Sequence, residues 1–206
     1  MKLKSLALPV LFALCLGVAG YIVFAKTKSK PARGQMGFTL KITQTIYRSD
    51  GSAPTRGYDK TRYYKADGSW KNVTNYAGGR VAIAYAQPGR GVFELDDNDQ
   101  KLVYVGGSSG QVMTEEFWRN NPGFVGEETI LGYKTFHIHQ VEANGQSIDT
   151  YFCPALQGNS LKTITISSKG SRTVTEVTQV TLGEPSFEHI PNYPVDKSRF
   201  EEIHKN

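Results

Sequence analysis

Residues 58–76 read YDKTRYYKADGSWKNVTNY. Two runs rich in aromatic and β-branched residues, 58–65 and 69–76, flank Ala66-Asp67-Gly68. Asp-Gly between such runs marks a tight hairpin, because glycine takes the positive φ that the turn demands. Upstream, Phe38, Leu40, Ile42 and Ile46 alternate with Thr39, Lys41, Thr43 and Thr45, with Gln44 interrupting the apolar face. A period of two is the mark of a half-buried strand. The Gly/Pro/Ser-rich stretch 49–57 between the two segments reads as a loop.

Downstream the same punctuation repeats. Gly78-Gly79 turns into a strand at 81–86, Pro88-Gly89-Arg90-Gly91 into one at 92–95, and Asp96 to Asp99 into a return strand at 101–105. Further strands are predicted at 133–141, 147–153, 161–167 and 173–182, with turns at Asn144-Gly145 and Lys169-Gly170. One helix is predicted over 115–120. Thr114 caps it, Glu115 and Glu116 sit in its first turn, and Pro122-Gly123 ends it. Short strands at close spacing imply an antiparallel sheet, and the lack of strand–helix alternation argues against a parallel-sheet enzyme fold. The expected fold is therefore mainly β: a curved antiparallel sheet or incomplete barrel wrapping one or two short helices. A long meander must close, cover or pair its edges.

The chain has 206 residues, a formal charge of +5, 39% hydrophobic residues and two cysteines. Length points to one domain. The apolar content is unevenly spread. Lys2 and Lys4 precede an uncharged run, 5–25, in which only Ser5, Pro9, Gly17 and Gly20 fall outside the apolar class. This is the layout of a secretory signal, and Val23-Phe24-Ala25 suits cleavage after Ala25. The run is also long enough to cross a bilayer, and Lys26, Lys28, Lys30 and Arg33 follow at once, which favours an uncleaved N-terminal anchor. The expected organisation is a signal or anchor at 1–25, a basic linker at 26–37 and one β-rich domain at 38–206, periplasmic or extracellular. Removing Lys2 and Lys4 takes the charge from +5 to +3. The only basic cluster lies in the linker, so no nucleic-acid face is expected. Leu14 is too bulky for the position before a lipidated Cys15. Cys153 is then the only cysteine of the domain; followed by Pro154 in a strand-like run, it reads as a small buried hydrophobe.

Candidate chemistry is sparse. Gly106-Gly107-Ser108-Ser109-Gly110 fits the pattern of a nucleophile elbow, but that elbow belongs to a doubly wound parallel sheet, so a flexible loop is expected. His137 and His139 lie two apart on a strand and share a face, a spacing that suits two imidazoles on one metal ion. Asp149 on the next strand is the best third ligand, and a surface pair is the simpler reading. Asp96, Asp97 and Asp99 lack the glycine and late glutamate of a calcium loop. Asn72-Val73-Thr74 is a glycosylation sequon. No phosphate loop, dinucleotide fingerprint, Cys-x-x-Cys or His-Glu-x-x-His occurs. No catalytic residue, metal or cofactor is expected.

The second half carries a resemblance. Leu131-Gly132-Tyr133-Lys134-Thr135-Phe136, Asp149 through Cys153-Pro154-Ala155-Leu156, Thr175-Glu176-Val177, Leu182-Gly183-Glu184-Pro185, Phe187 and Ile190-Pro191-Asn192-Tyr193 together resemble a group of uncharacterised exported bacterial proteins. That group is similar to the periplasmic lipoprotein carriers, the LolA/LolB-like superfamily. The resemblance implies an incomplete antiparallel barrel around helices, enclosing an apolar cavity. The characteristic arginine of the carriers falls on no matching motif, so no functional residue is carried over. The expected function is an exported, non-enzymatic domain binding an apolar ligand, a lipid or a lipidated partner in the cell envelope. Phe38, Leu40, Ile42, Ile46, Phe136 and Ile138 would face its concave interior. An envelope structural module with a packed core and no ligand is the alternative, and a hydrolase or metal-binding protein a more distant one.

Overall fold

The computed structural model describes residues 36–96, 100–107, 113–188 and 190–198. The chain divides into units 1–30 and 31–206, and all described residues belong to the second. The apolar run 5–25, Cys15, the basic residues 26–33, Asp97, Asp99 and the Ser108 loop lie outside them. Among the described residues no helix is long and apolar enough to cross a membrane.

Six strands form the first half: β1 (Phe38–Tyr47), β2 (Thr55–Tyr64), β3 (Trp70–Tyr76), β4 (Val81–Gln87), β5 (Gly91–Asp96) and β6 (Lys101–Gly106). A short helix, α1 (Glu115–Arg119), follows. The second half adds β7 (Phe124–Ile130), β8 (Tyr133–Val141), β9 (Ser147–Cys153), a 3₁₀ turn at Pro154–Leu156, β10 (Asn159–Ile166), β11 (Arg172–Leu182) and β12 (Val195–Asp196). All twelve join one sheet in the order β12-β6-β5-β4-β3-β2-β1-β11-β10-β9-β8-β7. Two meanders thus run outward from a central pair, β1 and β11. Every pairing is antiparallel except β12 on β6.

The sheet is open and curled, and the chain length across it shows why. Trp118 of α1 stacks on Phe152 of β9, centroids 4.1 Å apart. On a flat sheet β6 and β9 would lie eight strand spacings apart, about 38 Å at ~4.8 Å each. The twelve residues from Gly106 to Trp118 reach about 35 Å at most, counting the helical part at ~1.5 Å per residue. Bending of the sheet shortens this span, so the two rings meet without a fully extended connection. Bulges supply local twist, between Lys41 and Ile42 against β11 and between Ser160 and Lys162 against β9. At Gly91 (φ +112) a Cβ would meet the carbonyl oxygen of Gly106 at 2.7 Å, so the β5–β6 pair closes only around glycine.

Two buried clusters hold the second half. Phe38, Leu40, Cys153, Leu156, Leu161 and Val177 form one. Trp118, Phe136 and Ile138 form the other, with Met113, Phe124 and Phe152 around it. The predicted helix is present, and the Thr114 hydroxyl accepts the Phe117 N–H at its start. One expectation needs correction, and one strand was not expected. The loop after β1 is shorter than predicted, because the strand begins at Thr55 inside the Gly/Pro-rich stretch. The segment before Leu131-Gly132 is a strand, β7, at the sheet edge; Gly126-Glu127-Glu128 gives it no alternation to read.

Candidate functional site

Pairing sets which side chains share the inner face of β1 and its neighbours. Leu40 lies opposite Arg62 on β2 and Val180 on β11; Ile42 lies opposite Lys60 and Val177. Residues directly opposite on antiparallel strands point the same way. Phe38 and Tyr64, also opposite, stack at 5.1 Å. Leu161 joins from β10. The result is a small groove, about 150 Å3, with Leu40, Ile42, Leu161 and Val177 as its apolar floor and Lys60 and Arg62 on its wall.

Arg62 is held from two sides. Its Nε donates to Asn72 Oδ1 on β3 at 2.8 Å, and its Nη1 donates to Asn159 Oδ1 on β10 at 2.6 Å. The Asn159 amide is itself fixed, since its Nδ2 donates to the Leu156 carbonyl at 2.7 Å. Arg62 and Asn159 stand three strands apart in the sheet, about 14 Å if it were flat. Their contact marks this face as the one toward which the sheet curls. The guanidinium also lies over the Trp70 ring, 5.3 Å from its centre, and Lys60 Nζ lies 4.9 Å from the centre of Tyr58.

No carboxylate among the described residues is within ion-pair distance of either cation. Glu176 on β11 borders the groove, but it lies opposite Thr43 and Lys162, so its side chain points to the other face of the sheet. Burial lowers the pKa of Arg62, and burial together with the neighbouring Arg62 charge lowers that of Lys60. Both are half-buried cations compensated by neutral amides and aromatic faces. Asn72 is 7% exposed with its amide oxygen bonded to Arg62, so the sequon offers no room for a glycan in the folded protein.

The six residues expected to line the interior separate into groups. Phe38 and Leu40 are buried in the first cluster, and Leu40 and Ile42 line the groove. Phe136 and Ile138 belong to the second cluster, beneath α1. Ile46 lies partly buried farther along β1, opposite Thr55 and Thr173. Sequence reasoning missed Lys60, Arg62, Asn72 and Asn159. The available signal was parity: Lys60 and Arg62 sit two apart, on one face of a strand that has no apolar face.

His137 and His139 share a face of β8, as their spacing requires. Asp149 on β9 joins them: its Oδ1 lies 2.7 Å from His137 Nε2 and 2.9 Å from His139 Nδ1. Partial burial opposes ionisation of Asp149, but hydrogen bonds from both imidazoles outweigh it and hold the carboxyl below its ordinary range. The His137 ring stacks on Tyr151 at 4.4 Å. The nitrogens nearest one another are thus spent on a single carboxylate oxygen, and no group of three or more ligating side chains among the described residues is arranged to hold a metal. Cys153 is free and buried, with burial pushing its thiol pKa up. A second depression, about 200 Å3, lies between the β2–β3 hairpin and the segment carrying Phe187 and Ile190.

No family model matches the chain, and no curated protein matches it. Among solved structures, the chain is similar to an uncharacterised conserved protein from Thermus thermophilus, at 8% identity, with 80% of this chain and 91% of that chain covered and a TM-score of 0.44. It is similar to the lipoprotein LppX of Mycobacterium tuberculosis, at 14% identity, 85% and 97% coverage and a TM-score of 0.34. It is also similar to a LolA superfamily protein from Nitrosomonas europaea, at 12% identity, 79% and 90% coverage and a TM-score of 0.39.

Proposed function

We propose that residues 38–206 form an exported, non-enzymatic domain that holds the apolar part of a lipid, a lipidated partner or a similar ligand on the inner face of its curled sheet. Residues 1–25 would deliver it across the membrane, with or without staying as an anchor, and 26–37 would be a basic linker on the far side. The observation that carries this reading is the groove over Leu40, Ile42, Leu161 and Val177. Leu40, Leu161 and Val177 are buried beneath it, so the apolar side chain that the opening offers to a ligand is the partly exposed Ile42. The size sets the scale of the ligand. A space of about 150 Å3 holds a benzene-sized group. The groove suits one end of an amphiphile, with the remainder lying along the sheet.

The test is binding of a neutral fluorescent dye such as Nile red to the purified protein. Saturable binding is expected. Ile42→Glu, which places a charge on the groove floor at a partly buried position, is expected to weaken it tenfold or more while the circular dichroism spectrum stays β-rich. No binding by a folded wild-type protein would overturn the proposal.

A further inference from the structure

We infer that the groove selects amphiphiles with an anionic head, a carboxylate or a phosphate, and that Lys60 and Arg62 form the subsite for that head. This rests on the groove being an amphiphile site and goes further by naming the charge it recognises.

The two cations sit two residues apart on β2 and face the same way, and the Arg62 charge raises the cost of charging Lys60. Both are partly withdrawn from water, which penalises the charged form further. In a domain built only for stability, such a pair would be met by an acid. Here the partners are Asn72 and Asn159, which accept from Arg62 and carry no charge. Those bonds use Nε and Nη1. Among the described residues no hydrogen bond engages Nη2 or the Lys60 ammonium, whose contact is with the face of the Tyr58 ring. The asparagines therefore do two things. They fix the guanidinium plane in advance, and they leave its charge and remaining donors uncommitted. An anion entering beside Arg62 gains charge-assisted hydrogen bonds in a partly desolvated place, where they are strongest. It also relieves the repulsion between the two cations.

The apolar floor fixes the other half of the ligand. Leu40 and Ile42 are directly opposite Arg62 and Lys60 across the β1–β2 pair. A head on the two cations has its first methylenes over Ile42, the partly exposed side chain of the groove floor. A free inorganic anion would use only half of the site.

The test uses the full purified chain and displacement of Nile red by three ligands sharing one acyl chain at submicellar concentration: oleate, oleoyl lysophosphatidate and oleyl alcohol. At least tenfold tighter binding of one or both anionic ligands than of the alcohol is expected, and which one leads separates a carboxylate from a phosphate head. Arg62→Gln disturbs the asparagine network and puts folding at risk, so Lys60→Gln, which leaves that network intact, is the decisive variant. It is expected to cut the preference for the anion over oleyl alcohol threefold or more. Equal binding of all three ligands overturns the anionic subsite and leaves the apolar groove standing. A preference that Lys60→Gln leaves untouched removes Lys60 from the subsite and overturns the assignment. Failure of all three to displace the dye overturns the groove reading itself.

Discussion

At the scale of single residues, Asp149 shows how a position can be legible while its role is not. The two-residue spacing places His137 and His139 on one face, and the following strand supplies Asp149. Distance then decides the chemistry: one carboxylate oxygen takes both imidazoles. The folded carboxyl is depressed below the ordinary value of 3.8. A depressed acid contributes stability above its unfolded pKa, and that contribution is lost as pH falls through the folded value. Asp149→Asn is therefore expected to lower stability by about 1 kcal/mol at pH 6, given partly exposed partners. The gap between variant and wild type should close as pH falls below 3.8, as read from denaturant midpoints at pH 6 and pH 3. A gap independent of pH would mean that the carboxylate charge is not the source. Arg62 is the opposite case, hidden in the sequence. Its strand carries Tyr58, Lys60, Arg62 and Tyr64 on one side and Asp59, Thr61 and Tyr63 on the other. Neither side is apolar, so alternation does not say which faces inward. Only the neighbouring strand, with Leu40 opposite Arg62, settles that.

At the scale of elements, α1 depends on what it touches. Five residues are too few to hold a helix in water, since nucleation costs more than one turn returns. Its start is fixed by the Thr114 cap and its side by Trp118, buried between Phe136, Ile138 and Phe152. Outside, Arg119 and Lys134 share Glu115 and Glu127, tying the helix to β7 and β8 through exposed ion pairs of small individual worth. The two anchors should differ in size. Thr114→Ala is expected to cost about 1 kcal/mol, and Trp118→Ala about 3–5 kcal/mol, with both values read from urea unfolding. A Trp118→Ala cost no larger than that of the cap would mean the helix is a surface ornament. The helix was legible because its cap and its stop are local signals. So was the β2–β3 hairpin, where Lys65 O accepts from Gly68 N at the Asp67-Gly68 turn. The edge strand β7 was not. Its pairing comes entirely from β8, and an edge strand with Val125 60% exposed has no buried face to impose a pattern.

At the scale of the whole molecule, the two meanders leave two edges, and they are treated differently. The β7 edge carries Glu127, already engaged by Arg119 and Lys134. The β6 edge is covered by the chain itself. After β11, residues 183–188 and 190–194 run back along the sheet. Gly183 N donates to the Gly37 carbonyl at 2.9 Å, Glu184 Oε2 accepts from Ala66 N at 3.1 Å, and Phe187 packs on Tyr63 beneath Lys65. Leu102 N then donates to the Pro194 carbonyl at 2.9 Å, and Val195 and Asp196 pair in parallel with Leu102 and Val103, with Lys101 bridging to Asp196. Gly37 permits this path, because a Cβ there would strike the Glu184 backbone at 2.8 Å. A two-residue strand with no alternation is invisible in sequence, although Gly183, Pro185, Pro191 and Pro194 before it are the ordinary marks of a connection. Its effect exceeds its length, because an uncovered β6 would present a row of unpaired N–H and C=O groups. A chain ending at Gly183 is therefore expected to melt lower and to self-associate with rising concentration through β6, as followed by size-exclusion chromatography with light scattering. The two effects are separable. A variant that keeps the strap but replaces Asp196 with proline removes the N–H that the parallel ladder directs to the Leu102 carbonyl; it should lose little stability and still expose the edge, so its association should resemble that of the truncation. If both remain monomeric at millimolar concentration, β6 is protected by its own side chains and the strap serves only the core.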